Sequence, residues 1–318
     1  MRRWLFVCLL ALAPGGLAQT GDWQSLIAQA AAFDRAGRYV EAVAGYRCAL
    51  RLAGQSSLGD SRLPSILNAL ASASSSLGDF REAERQYRQA ISLVEKGGGK
   101  EGADYALLLQ NLANLYSEQG RLAKAEAMLR EALAIESRAL GADDARTATV
   151  GSSLAQVLLS RGNFGEADKL LAAAIPVLES QPPVCADCLP AAIDNLGTLR
   201  FRQRRFAEAA AALQRSVTGF EAALGPAHPR LLRPLNNLAL AYAALGRAQD
   251  AESIFRRAFS IAEARLGSNP DCVLVLANFA AFLRKSGRKV EAKAWERRSQ
   301  QYARAHGIGL TVDISAFQ

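Results

Sequence analysis

Along this 318-residue chain, apolar residues recur at helical spacing in short blocks, and a turn-like phrase interrupts each pair of blocks. Around Gly120 the upstream block carries Leu108, Leu112, Leu115 and Tyr116, and the downstream block carries Leu122, Ala125, Met128, Leu129, Ala132, Leu133 and Ile135. Each block is one stripe of an amphipathic helix. A glycine inside a helix costs about 1 kcal/mol relative to alanine, so Gly120 is expected to end one helix, in a turn that uses positive φ, rather than sit within it.

The same phrase returns at Gly37, Gly78, Gly120, Gly162, Gly246 and Gly287, and at Arg204 where a glycine would be expected. Successive markers lie 41 or 42 residues apart. Five residues after each comes alanine (Ala42, Ala83, Ala125, Ala167, Ala209, Ala251, Ala292), and twelve after comes a small residue (Ala49, Ala90, Ala132, Ala174, Ser216, Ala258, Ser299). Small residues at fixed places let backbones approach closely, and acidic residues near the start of each second helix suit the positive end of its dipole. The unit is a helix–turn–helix hairpin that cannot bury its apolar stripe alone, so stacking into a solenoid is predicted. No heptad persists over several turns, which argues against a coiled coil.

The residues Leu112, Ala113, Tyr116, Gly120, Leu122, Ala125, Leu129 and Ala132, with their equivalents elsewhere, resemble the packing positions of tetratricopeptide repeat (TPR) proteins. The period of about 42 is longer than the family's usual 34. It is similar to the repeats of kinesin light chains and related bacterial proteins, as are the linking phrases LGADDAR (140–146) and LGPAHPR (224–230). The resemblance covers about residues 23–306 and implies an all-α, right-handed α-solenoid of about seven repeats.

The ends differ. Arg2 and Arg3, the apolar run Trp4 to Ala13, the break at Pro14–Gly16 and the pair Leu17-Ala18 have the order of a secretory signal peptide, with cleavage after Ala18. The expected organisation is a signal at 1–18, a solenoid at 19–306 and a tail at 307–318, the mature protein being periplasmic or secreted. In the tail Leu310, Val312 and Ile314 alternate with polar residues; it reads either as a strand or as an unstructured end. In the last repeat Lys289 and Glu296 replace apolar residues of the other repeats, as a solvated solenoid cap requires.

Charge narrows the picture. The full chain has a net charge of +8, and residues 284–307 alone hold eight Lys or Arg against two Glu. The excess is therefore local to the C-terminal hairpin and reads as a charged cap; no nucleic-acid-reading motif accompanies it. No other segment has an uninterrupted apolar run of membrane length. Cys185 and Cys188, in PPVCADCLP, are candidates for a local disulfide in an exported protein, with free thiols or a redox or metal role as alternatives. Cys48 and Cys272 read as small core residues.

No catalytic motif stands out: there is no phosphate loop, nucleophile elbow or metal-spaced cluster, and the two histidines are His228, in a linking phrase, and His306. A non-enzymatic binding scaffold without cofactor or metal is expected, its partner a protein or peptide. Nine residues before the marker stand Asn111, Asn195, Asn237 and Asn278, with Ser153 and Ala69 at the matching places. In the proteins this chain resembles, asparagines there line the concave face and hydrogen-bond an extended peptide, since an amide both donates and accepts. The same amides could instead bond neighbouring helices. Gln110, Asn114, Asp194, Arg202, Arg233, Asn236 and Arg284 share that face by helical phase. An accessory module of an envelope or secretion assembly, and a self-associating structural solenoid, are the alternative functions.

Overall fold

The computed structural model describes residues 23–54, 62–181, 185–264 and 270–306. The signal peptide and C-terminal tail expected from the sequence lie outside these residues. The described helices are α1 (Trp23–Arg35), α2 (Tyr39–Ala53), α3 (Leu63–Ser76), α4 (Phe80–Lys96), α5 (Ala103–Glu118), α6 (Leu122–Leu140), α7 (Ala145–Ser160), α8 (Phe164–Ser180), α9 (Cys188–Arg202), α10 (Phe206–Leu224), α11 (Leu232–Ala244), α12 (Ala248–Ala264), α13 (Pro270–Lys285) and α14 (Lys289–His306). They form two compact units, Met1–Ala142 and Asp143–Gln318. The first holds hairpins α1/α2, α3/α4 and α5/α6; the second holds α7/α8, α9/α10, α11/α12 and α13/α14. Within each unit odd-numbered helices pack on one another in one layer and even-numbered helices form the other. The architecture is an all-α repeat solenoid.

Each hairpin turns at its marker. The residue after the marker donates its backbone N–H to the carbonyl five residues back, as in Arg121 to Tyr116 (2.8 Å) and Arg205 to Arg200 (2.9 Å). This closes the helix C-terminus and needs a left-handed residue at the marker. Gly120 has φ +73°, and Arg204, where the sequence breaks the glycine rule, takes the same conformation at φ +61°. Topology thus overrides residue preference at Arg204.

The fixed small residues are the contact points between helices. All seven alanines five residues after the marker and all seven small residues twelve after it are buried. Where the latter are serines, their hydroxyls donate to first-helix carbonyls: Ser216 to Pro190 (2.8 Å) and Ser299 to Val273 (3.4 Å). Seven residues before the marker α9 has Gly197, where other repeats have alanine. A Cβ there would lie 2.6 Å from Leu213 Cγ and 3.3 Å from the Leu213 backbone nitrogen, so α9 and α10 approach too closely for a side chain. In the last hairpin Trp295 packs on Phe259 (4.6 Å between centroids) and Phe279 (4.9 Å), while its neighbour Glu296 pairs with Arg284. The linking phrases also cap helices. The Asp144 carboxylate accepts from Arg146 N–H at 2.8 Å, and at the equivalent place His228 Nδ1 accepts from Arg230 N–H at 3.2 Å.

Relieving the strain at Arg204 is expected to stabilise the protein. Left-handed φ costs a non-glycine residue about 1–2 kcal/mol, and glycine returns part of that to the unfolded chain's entropy. Arg204→Gly should therefore add about 0.5–1 kcal/mol and raise the melting temperature by about 1–4 °C. Gly120→Ala, with open space around the new Cβ, should lower it by a comparable amount. Calorimetry on the two variants reads both signs.

Candidate peptide-binding face

The polar residues singled out on the first helices are brought onto one layer in each unit, but they are not equally open. Asn195 (9% exposed), Asn236 (2%), Asn278 (2%) and Gln110 are buried; Asn111, Asn114, Arg233 and Asn237 are half-buried; Arg202 and Arg284 are exposed.

The asparagine amides point along the layer. Asn111 Nδ2 donates to Asn68 Oδ1 (2.8 Å). Asn195 Nδ2 donates to the Ser152 carbonyl and hydroxyl (3.2 and 3.3 Å). Asn237 Nδ2 reaches the Asp194 carboxylate (3.3 and 3.4 Å) and Thr198 Oγ1 (3.4 Å). Asn278 Nδ2 donates to Asn236 Oδ1 (2.9 Å). In every case a residue nine before its marker bonds a polar residue ten before the preceding one. Within each unit this is a ladder, registering α5 against α3, α9 against α7, α11 against α9 and α13 against α11. The expectation that Asn195, Asn236, Asn278 and Gln110 line an open groove is corrected accordingly: the first helices pack so closely that these groups are enclosed. The sequence signal for it was the companion column Asn68, Ser152, Asp194, Asn236, polar where a helix–helix contact would otherwise be apolar.

In the second unit the ladder contains a charge. Asp194 is 7% exposed, and burial pushes its carboxyl up to about 6, against the opposing pull of Arg233 and the Asn237 hydrogen bond; Asp271 pushes the same way as burial. Arg233 in turn pairs with Asp271 at 3.5 Å. Asn278 Oδ1 has no hydrogen-bond partner among the described residues. Open to one side of this cluster lie Thr198, Arg202, Arg233, Asn237 and Leu240; in the first unit Asn111, Asn114 and Ser117 form the comparable surface. These groups can donate to and accept from a peptide backbone and pair with a carboxylate. No group of three or more metal-ligating side chains occurs among the described residues, and none of their helices is long and apolar enough to cross a membrane. Cys185 and Cys188 are joined as a disulfide across the start of α9, with Cα atoms 5.3 Å apart, and Cys272 is a buried free thiol.

Comparison with known proteins matches the MalT-like TPR region to residues 23–292. The chain belongs to this TPR family. Among solved structures it is similar to BtubC (BKLC) from P. vanneervenii, at 24% identity and TM-score 0.50 over 76% of this chain and 92% of that one. It is also similar to a tetratricopeptide repeat protein from Parabacteroides merdae ATCC 43184, at 16% identity and TM-score 0.50 over 88% of this chain and 93% of that one. The apo form of RapI aligns at 12% identity and TM-score 0.62 over 90% and 99%, and a Rap protein complexed with Competence and Sporulation Factor at 13% and 0.55 over 90% and 98%. These likenesses concern the fold. No curated protein matches the chain significantly.

Because the folded Asp194 carboxyl titrates above its ordinary value, its ionisation opposes folding. Stability linked to it is fully present below pH 4 and is lost as pH rises towards and through 6. Asp194→Asn keeps an acceptor for Asn237 and removes the buried charge. The variant should gain on the order of 1–3 kcal/mol at pH 7 and little at pH 4, as read from urea unfolding at the two pH values.

Proposed function

We propose that this TPR protein is an exported, non-enzymatic scaffold that binds an extended segment of a protein or peptide across the open part of its first-helix layer. The observation that carries this reading is the partly exposed polar strip formed by Thr198, Arg202, Arg233 and Asn237 beside Leu240. It combines cations, an amide, a hydroxyl and an apolar contact. Such a surface suits a peptide's backbone and an acidic or terminal carboxylate. Taken by itself, the first unit offers similar chemistry at Asn111 and Asn114. A neighbour of the same fold was solved with Competence and Sporulation Factor bound, which supports a binding role. The three-part N-terminal segment and the Cys185–Cys188 disulfide support export into an oxidising compartment.

A photo-crosslinking residue placed at Asn114 or Arg202 should capture a partner from the cell envelope, whereas one at Arg130 or Lys169, on exposed second-helix surface, should not. Against the captured segment, Asn237→Ala with Arg202→Ala should weaken binding by about 5- to 140-fold, two hydrogen bonds at about 0.5–1.5 kcal/mol each. Equal capture from both layers, or unchanged affinity in the double variant, would remove the reading. The exported protein should have an intact mass lacking residues 1–18; retention of those residues would contradict the export proposal.

A further inference from the structure

Second helices in the Asp143–Gln318 unit are tied to one another by a column of ion pairs. Glu179, Glu221 and Glu263 stand seventeen residues after their markers and pair with Arg215, Arg257 and Arg298, each eleven after the next marker. A second acidic position, six residues after the marker, reaches the first helix or the turn of the next hairpin: Asp168 receives Arg200 (3.2 Å), Glu252 receives Arg288 (2.6 Å), and in the other unit Glu84 receives Arg121 (2.9 Å). Each such hairpin thus presents one or two carboxylates to the arginines of its successor.

The last hairpin inverts both positions. Seventeen after its marker stands Arg304, and six after it stands Lys293. Both are exposed, and neither makes an ion pair among the described residues. Lys289 and Arg297 share the same outward face of α14 by helical phase and are exposed too. The two glutamates of α14 are already engaged, Glu291 by Arg288 and Glu296 by Arg284. Along one side of the cations lie Val290, 85% exposed, and Ala294. The most basic stretch of the chain is therefore not diluted by internal pairing on this face.

We propose that the outward face of α14 is a docking surface for an acidic helical segment of a protein partner, whose carboxylates meet Lys289, Lys293, Arg297 and Arg304. The positions themselves argue for a helix: in α8 and α12 the same positions face the next hairpin of the stack. Reversal of the charge selects the opposite chemistry from this chain's own repeats. A second copy stacking by its first hairpin would bring Arg38, the residue after the first marker, towards Lys293. Lys293 and Arg304 lie about 16 Å apart along the helix, so the carboxylates that meet them should be about eleven residues apart on one helical face. A lipid surface would find only Val290 and Ala294 as apolar anchors.

Fluorescence anisotropy on the full mature chain tests this with a labelled alanine-rich helical peptide bearing Glu at positions 1, 5, 9 and 16 of one face, its Gln counterpart, phosphatidylglycerol vesicles and a duplex DNA, all as competing probes. The Glu peptide should bind, the Gln peptide about tenfold more weakly, and Lys293→Glu/Arg304→Glu should lose at least that factor for the Glu peptide with an unchanged circular-dichroism melt. Lys293→Gln/Arg304→Gln should fall between wild type and the reversal. Unchanged binding in either variant overturns the proposal. So does tighter binding of vesicles or DNA than of the Glu peptide, a wild-type dimer that the reversal dissociates, or Glu-peptide binding that appears only after deletion of residues 307–318. The first-helix crosslinking test is independent of these outcomes.

Discussion

A helix hairpin with one apolar stripe cannot be buried by its own two helices, and everything else in this protein follows from that insufficiency. Each hairpin must lie against a neighbour closely enough to exclude water, and closeness is set by what stands at the contact points. Buried alanines and serines five and twelve residues after every turn, and Gly197 where even a methyl would strike Leu213, hold the helices at that spacing. Close-packed interiors give little room for error. The turn therefore has to deliver the second helix in one direction, and the left-handed marker does so in each repeat. That Arg204 adopts φ +61° in place of glycine measures how firmly the packing on either side dictates the turn.

Close approach also governs the polar residues. Apolar stacking alone fixes distance better than register, because alanines slide past one another with little penalty. A column of amides that bond only the correct neighbour adds direction, and a misplaced rung would leave a buried donor or acceptor unsatisfied at a cost of about 1–3 kcal/mol. Asp194 places an ionisable group within this column, so register and protonation are coupled in the second unit. Ion pairs on the second helices repeat the arrangement at the surface, where each contributes less.

The repeat period, hairpin ends and buried small residues were legible in the sequence because each recurs at a fixed offset from the marker. The asparagines were legible as a set but not in their surroundings. Helical phase places Asn195 and Asn278 on the first-helix face correctly, yet says nothing of how near the preceding helix lies. The distance from Asn278 Nδ2 to Asn236 Oδ1 is a tertiary quantity. The clue available was a second polar column one residue earlier, which a surface reading treats as more groove and a packing reading treats as a partner. Arg202 and Arg233 keep open surface because they sit at the edge of that contact, and Asn237 stays half-exposed although its amide is one of the rungs.

The claim that buried asparagines fix the stacking, leaving only the half-exposed residues for binding, is tested most directly by amide hydrogen exchange on Asn195→Ala. Loss of the Asn195–Ser152 rung should accelerate exchange in α7 and α9, the two helices it joins, while protection in α13 stays as in the wild type. Unchanged protection in α7 and α9 would show that the amide does not hold the stack together, and Asn195 would have to be explained by something other than register.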